Sequence, residues 1–353
     1  MQSSNSAAPA VPEQPILWLG VSGFSPQQRT VLASALMRTE ELPRWRVCPF
    51  GEADAWWVNG EKVRVGANGN LKVAAGLPTE HALRLDLADV DRPIAFAAPL
   101  GCEDFEPQLL FDPASPASTQ AVLLQFDSWL WLARAQFVLG AQIIERGAEL
   151  RRDIYHVSSN QGRLLAVLDF QQGGGGVMPH VHPVDLAQAR WDRRPPGARD
   201  LPENFVHVTA AQLAWTYVSR TDRDLLPRRY RDTTIYFRHA PGVPLRWLRD
   251  SQLMLLRELS AEPGTLENLR QRTGLPVRQL ERDLTALYYT YAITTTRSKA
   301  TQRSAVPHDS MPHSAGPGLD SLLRGDASSL PTRDLTVPAQ LGPRFLPRPS
   351  DSR

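Results

Sequence analysis

The sequence predicts an α+β protein of several domains, and three observations indicate this class. Strand-like and helix-like segments alternate over residues 15–112, β-prone segments dominate residues 153–249, and three helical patterns follow one another over residues 250–297. A helical connector at residues 116–148 lies between the first two regions. Such a succession is typical of separate α/β, β-rich and helical domains in one chain.

The bulk composition excludes several classes of protein. The net charge is only +2 over 353 residues, so a surface that binds nucleic acid has to be a local patch. Cys48 and Cys102 are too few for a disulfide scaffold or a zinc ribbon. We expect unstructured tails at residues 1–14 and 298–353, where Ser and Pro are frequent and apolar residues are scattered. Since neither a signal peptide nor a membrane-spanning apolar run is present, we expect a cytoplasmic protein without membrane contact.

The N-terminal region, residues 15–112, predicts a small α/β sandwich with a mainly parallel sheet. Residues 16–21 form a continuous apolar run, as in a strand buried on both faces. Ser25 and Pro26 open a helix as its N-cap and first helical residue. Further strands are expected at residues 45–50, 55–59 and 93–99, and a hairpin is expected to pair residues 61–65 with 71–73.

This layout resembles the receiver domain of two-component response regulators. Receivers carry acidic residues after the first strand, an Asp at the end of the third strand and a Lys-Pro near the last one. Here the first strand ends in Val21, Ser22 and Gly23, the third ends in Asn59, and no Lys-Pro follows residues 95–99. The resemblance therefore implies a pseudo-receiver that neither binds Mg²⁺ nor forms an acylphosphate and instead contacts proteins or dimerises.

The connector and the middle region are less specific. The broad apolar surface of the connector is typical of a core helix or of a partner interface, such as a homodimer helix pair formed by Trp129, Trp131 and Phe137. In the middle region we expect a hairpin and four further strands, with long irregular stretches at residues 171–183 and 190–204 and a flexible glycine linker. The expected hairpin strands, later strands and linker are residues 154–158, 164–170, 206–208, 213–218, 233–238, 244–248 and 173–176.

A nucleotide ligand is the second functional hypothesis. Ser159 and Gly162, after Arg151 and Arg152, show a partial resemblance to the PilZ family, which binds cyclic di-GMP, although the complete arginine motif is missing. A second basic cluster is interleaved with aromatic residues, a combination suited to phosphate contact and base stacking. Its arginines are Arg228, Arg229, Arg231 and Arg238.

The pattern over residues 250–297 is the most informative one. A helix after Asp250 is broken by Pro263 and Gly264, and a second helix starts at Thr265. A turn at residues 273–276 leads into a third helix over residues 277–289, with Val277, Leu280, Leu284 and Leu287 on one stripe. A β-prone segment, residues 291–296, follows. Three helices with a Gly-containing turn resemble a helix-turn-helix module, and the trailing strand indicates the winged-helix variant.

The third helix is the candidate recognition helix. Its stripe leaves Arg278, Gln279, Arg282 and Thr285 outward-facing, and Arg and Gln pair with guanine and adenine. Glu281 and Asp283 on the same helix oppose phosphate contact, while Arg270 and Arg272 on the second helix add positive charge.

Together these features predict a bacterial-type regulatory protein that is not an enzyme and needs no cofactor. Its winged helix contacts DNA or a regulatory protein partner. A nucleotide-responsive effector and a homodimeric scaffold are the alternatives.

Overall fold

The computed structural model describes residues 13–36, 44–66, 70–102, 105–147, 149–150 and 153–301. The tails predicted at residues 1–14 and 298–353, and the pair Arg151 and Arg152, therefore lie almost entirely outside the described residues. The chain divides into two compact units at Val208 and Thr209. Among the described residues, no helix combines the length and the apolar character that crossing a bilayer requires.

The first unit contains two five-stranded sheets, a three-stranded meander and four helices within its described residues. In chain order its elements are β1 Ile16–Ser22, α1 Pro26–Leu36, β2 Arg44–Cys48, β3 Ala55–Asn59, β4 Val63–Val65, β5 Leu71–Val73, β6 Leu83–Leu85, β7 Ile94–Ala97, β8 Leu110–Phe111, α2 Pro116–Trp129, α3 Trp131–Glu145, β9 Ile154–Ser158, β10 Leu164–Asp169, β11 Gly174–Val177, α4 Pro183–Ala187, β12 Arg190–Arg194 and β13 Val206–Thr209.

The first sheet is parallel and has the strand order β2-β1-β3-β7-β8. Its second strand, β1, is apolar from Ile16 to Val21 because both faces of the sheet are covered there. Ser25 caps α1 through the hydrogen bond that its hydroxyl accepts from the Gln28 backbone, as the sequence predicts. The predicted hairpin is also confirmed, since β4 pairs antiparallel with β5 and β6 extends it to a meander.

The predicted connector is two helices rather than one, with Leu130 between α2 and α3. The Ser115 hydroxyl caps α2 by accepting a hydrogen bond from the Ser118 backbone. Six of the fifteen residues of α3 are buried, and Phe137 among them is only 1% exposed. Phe137 is therefore not available for the homodimer helix pair, although Trp129 and Trp131 remain half-buried.

The second sheet has the strand order β12-β9-β10-β11-β13 and corrects two expectations. The glycine run at residues 173–176 is not a flexible linker, because Gly174 to Gly176 lie in β11 and pair with β10. The expected irregular stretch at residues 190–204 also contains β12, and α4 begins at the last residue of the stretch at residues 171–183. Periodicity misses β11 because glycine has no side chain to alternate, and it misses β12 because that edge strand carries mostly charged residues.

The second unit, from Thr209, is mainly helical. Its elements are α5 Ala210–Val218, α6 Arg229–Asp232, β14 Tyr236–Phe237, α7 Asp250–Ala261, α8 Leu266–Thr273, α9 Val277–Tyr289 and β15 Ile293–Thr294. The β-rich region predicted for residues 153–249 thus continues only to Thr209. The strand predicted at residues 213–218 is the helix α5, which starts with a capping box between Thr209 and Gln212.

The three predicted C-terminal helices are confirmed, and α9 has the predicted bounds. They enclose an apolar core that includes Leu255, Leu259, Leu269 and Leu284. A short antiparallel ribbon of β14 and β15 closes the unit, so that the strand after α9 pairs with a strand that precedes α7. A further bridge joins Ile235 to Gly264, between α7 and α8.

The glycine strand β11 provides the first testable prediction. A Cβ atom on Gly175 would overlap the carbonyl oxygen of Val167 on β10, whereas a Cβ atom on Gly174 meets nothing within 4 Å. We expect Gly175→Ala to lower the free energy of unfolding by about 1–3 kcal/mol, the usual cost of overpacking. Gly174→Ala is the matched control. Urea unfolding measures both, and equal stability of the two variants would contradict the close strand approach.

Candidate nucleic-acid interface

The second unit is much more basic than the whole chain. Residues 209–301 contain fifteen Arg and Lys and nine Asp and Glu, a net charge of +6 compared with +2 for the full sequence. The remainder of the chain is correspondingly acidic. A local basic patch is compatible with the nearly neutral chain, and we expect it in this unit.

The helices α8 and α9 of this unit are joined by a short turn. The Thr265 hydroxyl starts α8 by accepting a hydrogen bond from the Asn268 backbone. Gly274 ends α8 in the left-handed conformation, with φ of 68°, and its N–H donates to the Arg270 carbonyl. Glycine adopts this conformation without strain, so the helix ends here and a short turn follows. Leu275 packs against the core, and α9 begins after Pro276.

The exposed part of α9 is its N-terminal half. Arg278, Gln279 and Arg282 are exposed, as predicted. Within the described part of the chain, Arg278 and Gln279 have no side-chain hydrogen bond or ion pair, and Arg282 lies 3.9 Å from the Asp222 carboxylate. Val277, which the sequence places on the buried stripe, is 45% exposed, because the helix projects from the core over its first turn.

The prediction that Thr285 faces outward is wrong. Thr285 is 6% exposed, and its hydroxyl donates to the Glu281 carbonyl at 2.7 Å. From about its second turn onward α9 is packed against α5, α7 and β15, so the face that is free at Arg278 is covered at Thr285. Helical periodicity gives the direction of a side chain but not the point where a helix enters the body of its domain.

The two acidic residues of α9 do not oppose an anionic partner as the sequence indicates. The Glu281 carboxylate is bound by the Arg231 guanidinium, with 2.7 Å between Oε1 and Nε. Asp283 is 0% exposed, and neither of its carboxylate oxygens has a hydrogen-bond partner among the described residues. One charge is therefore paired and the other lies inside the core.

The two arginines predicted on α8 have different surroundings. Arg270 is exposed and forms two hydrogen bonds with the Glu267 carboxylate one turn earlier. Arg272 is directed to the end of α7, where both of its terminal nitrogens donate to the Glu262 carbonyl at 3.2 Å. Arg272 thereby satisfies a backbone group at a helix C-terminus, which is a structural role. Gly264 leaves the room that its guanidinium occupies.

The predicted nucleotide cluster does not present four free arginines. Arg231 is held by Asp224 and Glu281, and these hydrogen bonds raise the pKa of its guanidinium. Arg229 lies over the rings of Tyr230 and Tyr288, at 5.6 and 5.7 Å from their centres. The remaining two are Arg228, which is exposed, and Arg238, which is half-buried.

The first unit holds a polar cleft that the sequence does not reveal. Its volume is about 420 Å³, and Ser25, Gln28, Asn59 and Lys62 are among its lining residues. It opens at the carboxyl ends of β1 and β3, where the strand order reverses, which is the usual ligand position in open α/β sheets. Asn59 is 3% exposed and joins the two loops, since its amide donates to the Gly23 carbonyl at 2.9 Å and accepts from the Glu61 backbone.

Comparisons with models of known protein families, with curated proteins and with solved structures found no match to this chain.

The buried carboxylate of Asp283 provides a pH-dependent prediction. Burial raises the pKa of Asp283, and the nearby Ser251, Arg249 and Arg282 groups offset only part of this effect. The folded state therefore holds the proton more tightly than the unfolded state. The associated stability is fully present below the ordinary carboxyl pKa and is lost as the pH rises through the raised value.

We expect Asp283→Asn to raise the melting temperature at pH 7 and to leave it nearly unchanged near pH 4. Thermal unfolding of the full chain across this pH range measures the difference. Asp232→Asn removes an exposed carboxyl from the same unit and is the control. An equal shift in melting temperature at both pH values would contradict the assignment of the effect to ionisation of Asp283.

Proposed function

We propose that the chain is a non-catalytic regulatory protein whose second unit binds double-stranded DNA through the exposed half of α9. The observation that carries the proposal is the combination of exposed Arg278, Gln279 and Arg282 with the net charge of +6 on residues 209–301. In helix-turn-helix proteins the N-terminal residues of the second helix meet the base edges, and these side chains suit that contact.

The winged-helix interpretation is part of this proposal. The turn at Gly274 and the ribbon of β14 and β15 support it. One feature differs from a simple wing, because the partner of β15 comes from upstream of α7 rather than from a following hairpin strand. We therefore assign the contact to α8 and α9 and not to the ribbon.

For the first unit we propose a protein-contact role without phosphorylation. The strand order β2-β1-β3-β7-β8 supports the resemblance to receivers, since that order is shared with doubly wound sheets of the 2-1-3-4-5 type. The side chain of Asn59 supports the view that this position does not accept a phosphate. An amide cannot form an acylphosphate, and this one is engaged in two hydrogen bonds.

The DNA proposal is tested by fluorescence anisotropy with labelled duplexes of mixed sequence. We expect the double variant Arg278→Ala with Arg282→Ala to bind about tenfold more weakly or worse, and to lower the salt slope of log Kd by about 1 to 2 between about 50 and 200 mM salt. These arginines are expected to contact bases or phosphates, so their loss reduces both affinity and counterion release.

The matched control removes two exposed arginines from the first unit, Arg190→Ala with Arg194→Ala on β12. Its net charge equals that of the test variant, so it separates a local contact from a general charge effect. Absence of DNA binding by the unmodified chain, or equal losses in the two variants, would overturn the proposal.

A further inference from the structure

Glu281 is the only carboxylate in the exposed part of α9, which extends over residues 277–282. Its side chain is 27% exposed, so it is close to the surface that a DNA phosphate would approach. The other polar residues of this part are hydrogen-bonding or cationic, namely Arg278, Gln279 and Arg282. An unpaired charge here would oppose the cationic residues around it.

Arg231 neutralises this carboxylate from the short helix α6. Its Nε lies 2.7 Å from Oε1 of Glu281, and its other nitrogens bind the Asp224 carboxylate at 2.6 Å and the Leu226 carbonyl at 3.2 Å. The guanidinium is therefore fixed on three sides before any partner arrives. Asp224, in contrast, lies outside α9 and is 67% exposed.

We propose that Arg231 is a positioning residue for DNA binding, which cancels the Glu281 charge so that α9 presents an uninterrupted cationic face to phosphates. The inference rests on the function proposed above. Like charges brought together in an interface weaken binding, and low-salt association depends strongly on such local repulsion. Arg231 thus contributes to affinity without contacting DNA.

The test compares four forms of the full chain in the same anisotropy titration at low salt. Arg231→Ala exposes the Glu281 charge and is expected to weaken binding about tenfold. Arg231→Ala with Glu281→Gln has the net charge of the unmodified chain and is expected to bind within about twofold of it. Arg231→Ala with Asp224→Asn has the same net charge, but the neutralised carboxylate lies outside α9, and it is expected to remain weak.

The rescue distinguishes charge cancellation from a structural effect. Both Arg231→Ala and its combination with Glu281→Gln lack the ion pair between α6 and α9. If that ion pair acted only by holding the two helices together, both variants would lose the same DNA affinity. Arg231→Lys retains the charge and is expected to bind nearly as well as the unmodified chain. Thermal unfolding of each variant identifies any that fails to fold.

The outcomes separate the inference from the proposed function. Rescue by Glu281→Gln but not by Asp224→Asn supports the role of Arg231. Failure of Glu281→Gln to rescue, equal rescue by both substitutions, or an unchanged Arg231→Ala overturns it while DNA binding by the unmodified chain stands. If the unmodified chain does not bind DNA, the proposed function and this inference are both wrong.

Discussion

The second unit depends on the burial of one stripe of α9. Leu280, Leu284 and Leu287 are each 0% exposed, and every other helix of the three-helix core packs against them or their neighbours. Full burial of a leucine contributes about 1.5–3 kcal/mol, so these three side chains alone are comparable with the net stability of a small domain. The exposed residues near the start of α9 are those that point away from this stripe, namely Arg278, Gln279 and Arg282.

The acidic residues of the second unit are mostly paired with basic ones. Basic residues outnumber acidic ones in residues 209–301, yet seven of the nine acidic residues have a cationic neighbour. Asp224 and Glu281 bind Arg231, and the other pairs are Glu267 with Arg270, Asp232 with Arg228, Glu258 with Arg257, Glu262 with Arg272 and Asp222 with Arg282. Exposed pairs of this kind contribute little to stability. Their effect is on the local surface potential, because each carboxylate is cancelled by a nearby arginine while the net charge of the domain stays the same.

The C-terminal helices could be predicted because capping, apolar spacing and turn residues agreed there. Thr265, Gly274 and the leucine stripe each specify the same boundaries locally. The segments that were predicted wrongly lack this agreement between local signals. Gly174 to Gly176 form a strand through backbone pairing alone, and residues 213–218 become helical because Thr209 and Gln212 cap them, although their composition is β-prone.

The candidate site was predictable only in part, for a related reason. Arg278, Gln279 and Arg282 follow from helical geometry, which is local. The burial of Thr285 depends on the elements that pack against α9, and the pairing of Glu281 depends on Arg231, which is 50 residues away in the sequence. Neither dependence has a local signature, so sequence patterns alone contain no reason to discount Glu281 or Asp283 as opposing charges.

The leucine stripe also sets the rotation of α9 about its own axis, because a helix turned by one residue, about 100°, would expose part of that stripe. The contact between Glu281 and Arg231 on α6 acts in the same direction, since that rotation would break it. Asp283 lies inside the core, and the cost of burying its carboxylate works against this packing rather than for it. The side of α9 that carries Arg278 and Gln279 is therefore exposed as a result of apolar packing and one ion pair.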